Sequence, residues 1–117
     1  MRDANHPCIG LMLDSFHVFL MNSPLTEIAK IPGEKIFMVE VADFAASALE
    51  PIEISRHYRL FPGEGNSPMA AFLREVEKTG YAGCLSVEVF NAFYRQHDAF
   101  EIAKRGAECM SRVLRSM

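Results

Sequence analysis

Ile36-Phe37-Met38-Val39-Glu40 alternates between two chemical characters, and Ile9–Asp14 and Cys84–Glu88 repeat the pattern. Successive side chains of an extended strand point to opposite faces, so each stretch splits into two registers. One register is Ile9, Leu11, Leu13, then Phe37, Val39, Val41, then Leu85, Val87, Val89, all apolar. The other is Gly10, Met12, Asp14, then Ile36, Met38, Glu40, then Cys84, Ser86, Glu88, reaching a carboxylate late in every strand. Isolated anions on apolar strands are expensive to bury. A cation is therefore expected to collect the three acids at a shared depth, and a divalent metal is the simplest candidate. Each acid also has a plainer alternative, capping a neighbouring loop or pairing with a basic side chain.

Working outward, Ser23-Pro24 predicts a helix start, with Leu25, Ile28 and Ala29 as its inner face over residues 23–30. Ile31-Pro32-Gly33 stops it. Residues 43–66 show no clear periodicity, and loops of that length inside compact domains are usually functional. Ser67-Pro68 opens a second helix near 67–79, on which Met69, Phe72, Leu73 and Val76 recur at helical spacing. Asp98 with Glu101 reads as a capping pair for a third helix near 98–115, with Ala103, Ala107, Met110, Leu114 and Met117 along its inner side.

Three strands (near 9–14, 36–42 and 84–90) alternating with helices indicate a parallel α/β sheet covered by helices. The apolar register should meet the helices and the other should face inward. That asymmetry favours a barrel wall over an open doubly wound sheet, whose two faces are both covered. In (β/α)-barrels the chemistry sits at the C-terminal ends of the strands, where these acids lie. A full TIM barrel needs about 250 residues and eight strands. With 117 residues, the chain reads as one incomplete barrel domain over positions 1–117. Its open edges and bare inner face predict self-association or marginal stability, with a second copy or a complementary barrel chain as partner.

Composition narrows the function classes. Half of the residues are hydrophobic, 23% are charged and the net charge is −3, which fits neither disorder nor a nucleic-acid-binding stripe. No apolar run approaches the roughly 20 residues of a membrane span. Met1–Pro7 is polar and lacks the apolar stretch of a secretory signal. Cys8, Cys84 and Cys109 are odd in number and far apart, which argues against a disulfide framework and suits a reduced cytoplasm.

Four segments carry a family resemblance. Leu13-Asp14-Ser15-Phe16-His17 resembles the Asp-x-x-His strand end of the sugar phosphate isomerase/epimerase superfamily, the xylose-isomerase-like TIM barrels. Ile36–Asp43 is similar to the next strand of that family, Ser55–Gly65 to the loop before its last helix–strand unit, and Ser86–Asn91 to its final strand. The loop and last strand look most like bacterial members related to 3-dehydroshikimate dehydratases. The resemblance places the chain as the C-terminal part of a barrel, the sixth to eighth βα units.

The resemblance assigns Asp14 and Glu88 as ligands of a divalent metal. Glu40 stands where relatives usually carry His or Gln. A third carboxylate would suit Mg²⁺ or Mn²⁺, which favour oxygen ligands, over softer metals. The family's remaining ligand, a Glu on a preceding strand, has no counterpart here. His17 matches a position that handles substrate or protons, and Glu88 shares the catalytic assignment. Arg56, His57 and Arg59 match a loop that meets an anionic or hydroxylated substrate; the plainer alternative is a solvated basic patch. Asp43 either supports the site or caps the loop, and Phe61–Gly65 reads as turn chemistry.

Such a site would support proton transfer next to a carbonyl. A neighbouring His or Glu takes and returns the proton, while a bound cation stabilises the charge developing on oxygen. The implied function is an isomerase, epimerase or dehydratase acting on a small sugar-like or 3-dehydroshikimate-like carbonyl compound. The competing expectation is a catalytically incomplete module with no activity alone.

Overall fold

The computed structural model describes residues 6–117. The reading of Met1–Pro7 as free of a secretory signal therefore falls mostly outside the described residues. Three strands, β1 (Leu11–Asp14), β2 (Ile36–Val41) and β3 (Leu85–Val87), pair in parallel in the order β1-β2-β3. The helices are α1 (Ser15–Leu20), α2 (Pro51–His57), α3 (Met69–Lys78) and α4 (Ala99–Arg115), with 3₁₀ turns at Leu25–Lys30, Gly33–Lys35 and Tyr94–Gln96. This is an arc of barrel wall with helices on one side.

The main core forms where β1 and β2 meet α3, the first 3₁₀ turn and α4. Leu13, Ile36, Val39, Val41, Ile28, Met69, Phe72, Leu73, Val76 and Val113 are buried together there. Fully burying one such side chain contributes about 1.5–3 kcal/mol, so this layer holds the helices to the sheet. On α3 the buried residues fall at helical spacing and Lys78 closes its last turn. Asp98 caps α4, its carboxylate accepting from the Phe100 and Glu101 amides at 3.0 and 3.1 Å.

One strand register differs from the expected one. Leu11 pairs with Ile36 and Met12 with Met38, leaving Phe37 as the extra residue of a bulge. A bulge of one residue reverses the faces on one side of it. Ile36 consequently joins the helix-side core, and Phe37 turns to the inner face, 53% exposed. Its ring lies over Gly10, where a Cβ would collide with it. Ile9, ahead of β1, and Val87, on the edge strand, are also exposed.

The helical expectations need four further corrections. Residues 25–30 form a 3₁₀ turn rather than an α-helix, and neither Ser23 nor Ser67 makes a side-chain cap, Pro24 and Pro68 taking those positions. Within the aperiodic stretch 43–66 lies α2, a short helix with Pro51 at its start and one buried residue, Ile54. The buried side of α4 is Gly106, Cys109 and Val113, with Met110 packed against the core as expected, while Ala103, Ala107, Leu114 and Met117 face out. Gly106 permits that rotation: a Cβ there would sit 2.9 Å from the Phe61 ring.

After α2 the chain returns across the rim between the ends of β2 and β3. Tyr58 bridges to Asn91 and Leu60 bridges to Asp43, both antiparallel. Arg59 lies between the two bridges. A smaller core of Phe16, Ala42 and Ile54 supports this rim, and Ser15 ties β1 to β2 through two 2.9 Å bonds with Ala42. On the inner face Met12, Phe37, Met38 and Phe90 are exposed.

Candidate functional site

Strand pairing brings the acids together. Asp14 is the direct neighbour of Glu40, which in turn faces Ser86. Glu88 lies two residues beyond Ser86, just past β3, where its amide still donates to the Val41 carbonyl at 3.2 Å. Each of the three offers a carboxylate oxygen within 4.8 Å of the others'. Asp14 and Glu40 are buried and Glu88 is half-buried. Three oxygen donors converging at this spacing suit a hard divalent cation.

Two of the acids already have protein partners. Asp14 caps α1, its Oδ1 accepting from the Phe16 amide at 2.9 Å. Its Oδ2 accepts from Arg59 Nη1 at 3.1 Å, and the same Nη1 donates to Glu88 Oε2 at 3.1 Å. The plainer alternatives, a cap and a basic partner, are thus both realised at Asp14 alongside the cluster. Arg59 is itself buried, with its Nε on the Ser55 carbonyl at 3.2 Å and its guanidinium over Phe16 at 4.3 Å and near Phe90 at 5.3 Å.

Glu40 is different. No hydrogen bond reaches its side chain among the described residues, and since no fully enclosed polar atom lacks a partner, its carboxylate opens toward the inner face. Burial, then the Glu88 and Asp14 carboxylates, push the Glu40 carboxyl above its ordinary value, against a smaller pull from Arg59. One guanidinium against three carboxylates leaves the cluster short of positive charge.

His17 stands one turn from Asp14, exposed, with Nε2 3.6 Å from Asp14 Oδ2 and its ring edge-on to Phe16. Arg59 therefore belongs to the acid cluster, whereas Arg56 and His57 remain exposed at the last turn of α2. The structure brings Asp14, His17, Glu40, Arg59 and Glu88 together and leaves Arg56 and His57 outside.

Two further groups shape the loop that carries Arg59. Asp43, fully buried, accepts backbone N–H bonds from Phe44, Gly63, Gly65 and Ser67 at 2.8–3.1 Å. Gly65 has no room for a Cβ against that carboxylate, so the loop cap expected for Asp43 is realised in the loop that carries Arg59. Glu64, in the same loop, accepts from Tyr94 Oη at 2.6 Å and from Arg105 at 2.7 Å, tying the loop to α4. Burial opposes its ionisation, but hydrogen bonds from Tyr94, Arg105 and Cys109 outweigh it and hold the carboxyl below its ordinary value. Cys109 is buried, and burial first, then Glu64, raises its thiol, making it an inert core group. Sequence reading missed Glu64; the available signal was its place between two glycines of a tight turn.

The family model of the xylose isomerase-like TIM barrel matches residues 1–113. A 3-dehydroshikimate dehydratase of Pseudomonas putida is 46% identical over 95 residues, 81% of this chain and 15% of that protein. An inosose isomerase of Bacillus licheniformis is 32% identical over 112 residues, 95% of this chain and 39% of that one. Among solved structures, a xylose isomerase-like TIM barrel/4-hydroxyphenylpyruvate dioxygenase fusion protein superposes with a TM-score of 0.86 at 42% identity, over 92% of this chain and 17% of its own. The IolI protein with a bound zinc atom superposes at 0.85 with 27% identity, over 96% and 40%. The chain thus spans less than half the length of each of these relatives. With a match over nearly all of its residues, the chain belongs to the xylose isomerase-like TIM barrel family.

Proposed function

We propose that this chain carries the C-terminal, metal-binding rim of a dehydratase or isomerase that moves a proton next to a carbonyl. The substrate would be a small hydroxylated compound of the 3-dehydroshikimate or sugar type. The observation that carries this reading is the convergence of Asp14, Glu40 and Glu88 within 4.8 Å, with Glu40 left open to an external cation. Support comes from relatives named as a 3-dehydroshikimate dehydratase and an inosose isomerase, and from a neighbour that holds zinc.

Asp14, Glu40 and Glu88 would hold Mg²⁺ or Mn²⁺, which when bound supplies positive charge to a substrate oxygen. His17, exposed beside the cluster, is placed to take and return a proton, and Glu88 is the half-buried carboxylate able to share that work. Arg59 would steady the acids and an anionic substrate group, while Arg56 and His57 would meet the substrate at the mouth of the site. Returning the proton to a neighbouring carbon isomerises; returning it to the opposite face epimerises; losing a β-hydroxyl dehydrates.

The test is a melting curve of the chain with and without Mn²⁺ or Mg²⁺, followed by turnover of 3-dehydroshikimate and simple ketoses. A metal-dependent rise in Tm that Glu88→Gln largely removes is expected. An unshifted native Tm would count against the site.

A second reading is favoured by the exposed inner face of Met12, Phe37, Met38 and Phe90. On it, the chain is catalytically incomplete alone and acts with that face covered by a second copy or a complementary barrel chain. Turnover that appears only on adding the remaining barrel units of a relative would select this reading.

A further inference from the structure

Arg59 reaches the acids from a segment that belongs to neither adjoining strand, and a buried side chain holds that segment on each flank. Beyond β3, Asn91 donates from Nδ2 to the Arg59 carbonyl at 2.8 Å. Its Oδ1 accepts from the Phe93 and Tyr94 amides at 2.9 and 3.1 Å. The reverse amide orientation would set its NH₂ against two N–H donors, so the network fixes the assignment. The Arg59 amide completes this side by donating to the Phe90 carbonyl at 3.1 Å.

Beyond β2, the Asp43 carboxylate gathers the Gly63, Gly65 and Ser67 amides. Its backbone exchanges two hydrogen bonds with Leu60 at 2.8 and 2.9 Å. Both side chains are buried, and neither hydrogen-bonds to Asp14, Glu40 or Glu88. The Ser55 carbonyl and the Phe16 ring steady the guanidinium itself, but the height from which Arg59 reaches the two carboxylates is set by its main chain. Here its main chain is fixed from both sides before its side chain begins.

We propose that Asn91 is a positioning residue for Arg59, with Asp43 holding the opposite flank. The pair sets where the guanidinium stands between Asp14 and Glu88. The consequence for turnover rests on the metal-site reading above; the geometric claim does not. Misplacing a charged group by roughly 1 Å can lower a rate about 10²-fold, so a loss of that size in kcat is expected where turnover is measured.

Asn91→Asp separates this role from a turn cap, because it keeps the oxygen facing Phe93 and Tyr94 and replaces the donor to Arg59. In the ¹⁵N-labelled 117-residue chain, the Arg59 Nε–H signal should be shifted by the Phe16 and Phe90 rings and slow to exchange with water. In Asn91→Asp that signal is expected to lose its shift and protection while the Phe93 and Tyr94 amide signals stay in place. An unchanged Arg59 signal overturns the proposal, and so does a joint loss of all three, which would mark a turn residue alone. Should Asn91→Asp not fold, Asp43→Asn decides: the Arg59 signal must move with the Gly63 and Gly65 amides, and an unmoved one overturns the proposal. Failure of the metal-site reading shows separately, as a native melting curve indifferent to Mn²⁺.

Discussion

At the residue scale, the two shifted carboxyls act with opposite sign. Glu64 holds its proton more weakly in the fold than in the unfolded chain. Its stabilisation is therefore complete above the ordinary glutamate value and is lost as pH falls through the lowered one. Glu64→Gln should accordingly narrow its stability deficit against the native chain as urea midpoints are followed down into acid; a constant deficit would refute the linkage. Glu40 holds its proton more tightly than when unfolded. Folding loses stability as pH rises from the ordinary value through the raised one, so a penalty is present at neutral pH. In metal-free solution Glu40→Gln should thus melt higher than the native chain near pH 7, yet respond less to Mn²⁺; a lower metal-free Tm would contradict it. His17 is exposed and meets the core only edge-on at Phe16, so His17→Asn should change Tm little while reducing kcat by about 10²-fold or more, the usual contribution of a general acid or base. The alternation of the strands makes the three acids legible in the sequence itself. Arg59's place among them was hidden, because its neighbours in space, Asp14, Phe16 and Glu88, are all distant in sequence.

At the element scale, what the sequence disclosed depended on how each element buries itself. On α3 the buried set Met69, Phe72, Leu73 and Val76 is large and apolar, so its period is plain. On α4 the buried side is built partly from Gly106 and Cys109, small residues that carry little hydrophobic signal, and the larger Leu114 drew the inner face one residue away. The short α2 buries one side chain, too few to make a period. The bulge at Phe37 has no signature at all, since one extra residue only exchanges which neighbours face inward. These assignments separate cleanly by truncation. Phe72→Ala, in the fully enclosed layer, should cost about 3–5 kcal/mol by chemical denaturation, whereas Leu114→Ala should stay within about 0.5 kcal/mol, as surface changes do. Equal losses at the two positions would restore Leu114 to the core and undo the rotation of α4.

At the scale of the whole molecule, the helix side of the sheet is finished and the inner side is not. The radius of gyration is 14.7 Å, against about 13 Å for a compact domain of this length, as befits an arc covered on one face. Among the described residues no further strand pairs with the outer edge of β1 or β3, and such edges recruit further strands. Met12, Phe37 and Met38 add an apolar patch beside the rim acids on the same face. Closing the barrel would shelter all of these together, and would also lower the dielectric around Asp14, Glu40 and Glu88, strengthening their hold on a cation. The same closure therefore bears on stability and on the site. Size-exclusion chromatography with light scattering should find the isolated chain as a dimer or larger, and the paired change Phe37→Lys and Met38→Glu should shift it toward monomer without disturbing the helix-side core. A native chain that runs as a stable monomer would show that three strands and one covered face suffice.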